Sequence, residues 1–105
     1  PFSGPFIRYV SDMFKINEYF EGKVKSIGFQ TESLPATVGV MAPGEYVFST
    51  SRKETMKIIS GAMRVRLPGS ETWTRYGEGE SFEVPAEAKF DVALDGQTAY
   101  LCLYH

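Results

Sequence analysis

The chemistry open to this chain rests on a short inventory. It carries 1 histidine, His105, at the last position, and 1 cysteine, Cys102. Without an interior histidine, a Ser-His-Asp or Cys-His relay has no base. A zinc, iron or manganese cage lacks the converging His, Cys and carboxylate donors it needs. Gly77-Glu78-Gly79 has neither the length nor the following helix of a phosphate loop. Acid–base work therefore falls to carboxylates and tyrosines. Carboxylates meet hydroxyls in Gly44-Glu45-Tyr46-Val47-Phe48-Ser49-Thr50, which is followed by the polar link Ser51-Arg52-Lys53-Glu54 and by Thr55-Met56-Lys57-Ile58-Ile59-Ser60-Gly61. Glu45 and Glu54 are the candidate acid–base groups. Ser49 and Thr50, beside a lysine such as Lys23 or Lys25, can hold an anion such as phosphate. Met41, Met56 and Phe90 offer apolar surface to a flat ring. Each residue also has a plainer reading: the hydroxyls cap a turn, the methionines and Phe90 are core, Glu54 is a solvated loop charge, and the lysines belong to the surface.

The elements that must position these groups read as short strands. Lys23 to Phe29 alternates, with Lys23, Lys25, Ile27 and Phe29 on one face. Thr37–Met41, Tyr46–Ser49, Met56–Ile59, Met63–Leu67, Trp73–Tyr76, Ser81–Val84, Phe90–Leu94 and Ala99–Tyr104 follow. Turn residues separate them, among them Ala42-Pro43-Gly44, Pro68-Gly69-Ser70 and Asp95-Gly96, the last a two-residue hairpin signal. About nine strands at roughly ten-residue spacing, with no amphipathic helix, predict an antiparallel sandwich or barrel. Alternation then sets conditions on the candidates. An inward Ser49 brings Val47 and Glu45 with it. An inward Glu54 brings Met56 and Ile58. An inward Phe90 brings Val92 and Leu94.

At 105 residues the chain fits one domain. Its 43% hydrophobic content is that of a folded protein, and the net charge of −2 leaves no electrostatic footprint for nucleic acid. No apolar run reaches membrane-spanning length, so no membrane is expected as a partner. A lone cysteine forms no internal disulfide and suits a reducing cytoplasm. Residues 1–12, with Pro1, Gly4 and Pro5 and no sustained period, read as a leader or expression-derived segment ahead of Met13. Its Phe2, Phe6 and Tyr9 are expected to dock on a neighbouring surface. Residues 13–105 form the single domain.

Two spacings resemble the signatures of cupins, the double-stranded β-helix or jelly-roll barrels. Six residues separate Glu54 from Gly61, and five separate Gly79 from Pro85. In a cupin, histidines accompany these positions and hold a metal. Here they fall on Val47 and Ser49, or on Phe48 and Thr50 if the link before Glu54 counts three residues. The third falls on Phe90, and Glu87 replaces the second signature's next glycine. The resemblance narrows through Asn17-Glu18-Tyr19-Phe20, Gly22-Lys23-Val24-Lys25-Ser26-Ile27-Gly28-Phe29, Val38-Gly39-Val40-Met41, Gly44-Glu45-Tyr46, Phe48-Ser49-Thr50, Ile59-Ser60-Gly61-Ala62 and Tyr100-Leu101-Cys102. From Met13 onward the chain resembles the pyrimidine/purine nucleoside phosphorylases, small single-domain bacterial cupins.

The resemblance implies a pentosyltransferase of broad specificity. It would cleave purine and pyrimidine nucleosides with phosphate to a free base and pentose 1-phosphate, with phosphate as co-substrate and no cofactor. Positions matching the family's motifs that suit this work are Lys23, Lys25, Glu45, Ser49, Thr50, Glu54 and Tyr100. No metal ligands are expected. A homodimer is expected, because Tyr100 to Tyr104 is apolar on both faces and a barrel has one interior. The alternative is a metal-free cupin that binds a small ligand without catalysis.

Overall fold

A computed structural model describes residues 14–105. The expectations for residues 1–12, including docking by Phe2, Phe6 and Tyr9, and for Met13, lie outside the described residues. The described residues form ten strands: β1 (Ile16–Tyr19), β2 (Val24–Gln30), β3 (Pro35–Met41), β4 (Gly44–Ser49), β5 (Glu54–Ser60), β6 (Ala62–Arg66), β7 (Thr74–Gly77), β8 (Ser81–Val84), β9 (Lys89–Leu94) and β10 (Thr98–Tyr104). They form a six-stranded sheet, ordered β1-β2-β3-β10-β5-β8, packed on a four-stranded sheet, ordered β4-β9-β6-β7. All described pairings are antiparallel. The all-β cupin barrel expected from the sequence is the fold observed.

The strand missed by the sequence reading is β1. Its four residues include Asn17 and Glu18, which are poor strand formers, and it lies at a sheet edge. It is held by pairing with β2, where Asn17 Nδ2 donates to Ser26 Oγ at 3.2 Å. The alternation read in β2 holds, but Lys25 and Ile27 are on the outer face while Val24 and Ser26 face the core.

From β3 onward the chain changes sheet at almost every turn, so residues that bend the backbone serve as corners. The Asp95-Gly96 signal is such a corner and not a hairpin. Strand β9 pairs with β4 and β6, whereas β10 pairs with β3 and β5. The Thr98 hydroxyl pins this corner, donating toward the Ala62 and Gly96 carbonyls at 3.0 and 3.2 Å. Gly61, the signature glycine, makes the β5–β6 corner at φ +91°. A Cβ there would stand 2.8 Å from the Gln97 carbonyl oxygen and 2.9 Å from Thr98 Oγ1.

Alternation fills the space between the sheets. Val24, Met41, Ile58, Met56 and Cys102 come from the larger sheet, and Tyr46, Phe90, Val92, Val65 and Met63 from the smaller. Val92 and Ile58 are wholly buried, each worth about 1.5–3 kcal/mol of burial. One region of the outer surface is also apolar. Ile16, Ile27, Val38, Val40 and Ile59 lie together on the outside of the larger sheet, Val40 at 55% exposure.

Candidate functional site

The two sheets part at one end to leave a cavity of about 370 Å³. Met41, Met56, Tyr100, Cys102, Tyr104, Ser26 and Glu54 line it from the larger sheet. Val47, Phe48, Ser49 and Phe90 line it from the smaller, and Tyr19 and Phe20 close its edge. Of the ten residues singled out in the sequence, Ser49, Glu54, Met41, Met56, Phe90 and Tyr100 meet here. The conditions set by alternation resolve accordingly. Glu54 faces inward with buried Met56 and Ile58, and Phe90 is buried with Val92 and Leu94. In β4 the inward residues are Tyr46 and Phe48, continued by Thr50, so the link before Glu54 counts three residues. Ser49 reaches the cavity only from its exposed rim.

Thr50, Glu45 and the lysines sit elsewhere. Thr50 is buried and fully bonded. Its hydroxyl donates to the Pro85 carbonyl at 2.6 Å and accepts from the Ala88 amide at 3.1 Å. It ties the end of β4 to the loop before β9. Glu45 is exposed on the outer face of the smaller sheet, beside Arg66, Asp91 and Trp73. Lys23 belongs to the β1–β2 turn, and Lys25 pairs with Glu18 at 3.7 Å on the surface. Both line a separate hollow with Ser60 and Gln97.

Glu54 opens β5 with Val84 on one side and Tyr104 on the other. The Cys102 thiol donates to Glu54 Oε1 at 3.4 Å, and Tyr104 shares a hydrogen bond with Thr37 Oγ1 at 3.0 Å. No Lys or Arg forms an ion pair with Glu54 among the described residues. Burial therefore lifts its pKa above the usual carboxylate range, and the thiol hydrogen bond offsets this only partly. Burial also pushes the Tyr100 phenol up to about 12, and raises the Cys102 thiol and the Tyr104 phenol. Gly39 makes room for the Tyr100 ring. A Cβ on Gly39 would lie 2.7 Å from the Tyr100 hydroxyl.

The residues at the cupin ligand positions do not fit a metal. The inward positions where such a barrel carries histidines are Phe48, Thr50 and Phe90, two aromatic rings and a hydroxyl already bonded to backbone. No three His, Cys, Asp or Glu side chains converge among the described residues. In the second signature, Glu87 stands where a glycine is expected and adopts φ +54°, a backbone conformation that glycine takes at no cost.

The family model for pyrimidine/purine nucleoside phosphorylase matches residues 14–104. The chain belongs to this family. A pyrimidine/purine nucleoside phosphorylase of Hahella chejuensis is 61% identical over 92 residues, covering 88% of this chain and 99% of that protein. Among solved structures, a Vibrio parahaemolyticus protein of unknown function is 44% identical with a TM-score of 0.84, covering 88% of this chain and 98% of that one. An RmlC-like cupin of Shewanella frigidimarina superposes with a TM-score of 0.69 at 19% identity, covering 89% of this chain and 84% of that one, a likeness of fold alone.

Several residues that build the cavity escaped the sequence reading. Phe48 reads from the sequence as a strand residue, a vacant histidine position and part of the run Phe48-Ser49-Thr50, with no role in binding. Tyr104 and Cys102 read as strand, and nothing local in the sequence makes them neighbours of Glu54. Tyr19 and Phe20 belong to the β1 strand and turn that the pattern did not reveal. The signature spacing names Phe48 when the link counts three residues, and the alternation of β4 selects that count.

Proposed function

We propose that this member of the nucleoside phosphorylase family cleaves purine and pyrimidine nucleosides with phosphate, releasing the free base and pentose 1-phosphate without a metal. The observation that carries the reading is the cavity itself: a single carboxylate, Glu54, among walls of Met41, Met56, Phe48 and Phe90. Apolar and aromatic walls accept different bases alike. The reaction forms a bond from a phosphate oxygen to C1′ and breaks the C1′–N bond, whose electron pair leaves with the base. Positive charge gathers on the sugar in between. A half-buried carboxylate with no ion-pair partner among the described residues is suited to stabilise that charge. Ser49 at the rim is the proposed phosphate contact. Lys23 and Lys25 lie outside the cavity and are not assigned to it. The Tyr100 phenol contributes a hydrogen-bond donor that stays protonated through the physiological range.

We further propose a homodimer that covers Ile27, Val38, Val40 and Ile59. Contiguous exposed apolar surface of this kind commonly marks an interface. A free, unpaired Cys102 supports a cytoplasmic location.

Incubation with inosine or uridine and phosphate, with the free base measured with and without chelator, tests the reading. Base release that needs phosphate and survives chelation is expected. Base binding without turnover would leave the non-catalytic cupin instead, and activity restored by added Zn²⁺ or Mn²⁺ after chelation would overturn metal independence.

A further inference from the structure

The turn between β1 and β2 runs against ordinary backbone preference. Phe20, Glu21 and Gly22 stand in succession at φ +53°, +58° and +85°. Only glycine takes that conformation freely, and a bulky aromatic there is an outlier that costs stability. The turn is nonetheless well bonded: the Gly22 amide donates to the Tyr19 carbonyl at 3.1 Å, and the Lys23 amide to the Phe20 carbonyl at 3.2 Å. The Ala42 amide donates to the Lys23 carbonyl at 2.8 Å, fixing the turn to the end of β3.

The strained geometry carries the Phe20 ring over the smaller sheet. Its centroid lies 4.9 Å from that of Tyr46 and 5.5 Å from that of Phe48, edge-on to the latter. Phe48 in turn lies 5.7 Å from Phe90. Phe20 lines the cavity yet remains 42% exposed. A ring serving only to cover Tyr46 and Phe48 gains nothing from facing the cavity, and a relaxed turn would not carry the cost of two non-glycine residues at positive φ. Strain of this kind persists where the surroundings over-determine it, and it gathers at ligand sites.

We propose that Phe20, held by this turn and backed by Phe48, is the face on which the planar base of the substrate stacks. The proposal rests on the nucleoside reading above and assigns it a specificity element. Every purine and pyrimidine presents a π-face, so stacking discriminates little between them and accounts for acceptance of both classes.

The test measures binding of free hypoxanthine and uracil by titration calorimetry, alongside steady-state kinetics with inosine and uridine. Phe20→Ala should weaken both bases roughly 5- to 150-fold, the range expected for loss of one base–aromatic stack, and raise KM more than it lowers kcat. Phe20→Leu keeps apolar cover and removes the π-face. It should fold as the wild type does and lose binding as Phe20→Ala does. Phe20→Tyr should restore it. Glu21→Gly, which relieves strain without touching the ring, should raise Tm and leave binding unchanged. Wild-type affinity in the folded Phe20→Leu protein, or loss confined to one class of base, would overturn the proposal. A wild type that binds bases through Phe20 but turns over no nucleoside would sink the phosphorylase reading alone. Turnover indifferent to Phe20 would sink this proposal alone.

Discussion

Replacing Glu54 with glutamine tests the proposed chemistry most directly. The amide keeps the shape and can still accept from the Cys102 thiol, which lies 3.4 Å from Oε1; only the charge is lost. A carboxylate about 4 Å from a developing positive charge is worth about 4 kcal/mol at an effective dielectric near 20. Glu54 is only half-buried, so solvent screening reduces this to about 2–3 kcal/mol. At 1.36 kcal/mol per decade, kcat should fall roughly 30- to 150-fold with KM little changed. In the wild type kcat should rise with pH as Glu54 ionises, along a limb displaced upward from 4.5, and the variant should lack that limb. Stability should move the other way. The folded pKa of Glu54 is raised by burial, so its protonated form is the favoured one. That contribution is complete below pH 4.5 and is lost as pH rises through the folded value. The variant should therefore match the wild type at pH 4 and exceed it in Tm at pH 8. Full activity in a folded Glu54→Gln protein, or a Tm difference that ignores pH, would refute the reasoning.

Other perturbations separate structure from chemistry. Thr50→Val removes the donor to Pro85 and the acceptor for Ala88. It should cost about 2–3 kcal/mol in urea unfolding while leaving the kcat of the folded enzyme unchanged; a selective loss of phosphate affinity would return Thr50 to the site. Glu87→Gly relieves a left-handed residue at φ +54° and should stabilise by about 1 kcal/mol, measured the same way. Val40→Asp places a charge in the exposed apolar region of the larger sheet and should convert a dimer to a monomer by light scattering at micromolar concentration. A dimer that survives it uses another surface.

Strand content was legible because alternation is local. Phe90, Val92 and Leu94, or Met56 and Ile58, declare their face within five residues. What was not legible depends on partners distant in sequence. Asp95-Gly96 carries the chemistry of a bend, but that chemistry does not say whether the next strand returns beside β9 or crosses to the other sheet. Strand β1 has almost no signal of its own, since its stability comes from pairing with β2. The cavity was half legible for the same reason. Spacing brought Glu54, Phe90 and, by the count of the link, Ser49 or Thr50 to notice, but Tyr104 and Cys102 reach Glu54 only because β10 lies beside β5. For Thr50 and Glu45, neither residue type nor spacing decides their work; their surroundings do, two backbone partners for one and the outer face for the other.

The sheet-switching corners have a kinetic consequence. Strand β10, last in sequence among the described strands, lies inside the larger sheet between β3 and β5. Until it arrives, β3 and β5 have no common neighbour, and each leaves a row of unpaired backbone groups. Closure of that sheet must await the most distant pairing in the domain, which makes slow folding the expectation. A chain emerging from the ribosome would hold β1-β2-β3 and β5-β8 as separate pieces with open edges, the state most exposed to pairing with other chains. Glu54 would acquire Cys102 and Tyr104 as neighbours only at that final step, so the cavity would be completed by the same event that completes the fold.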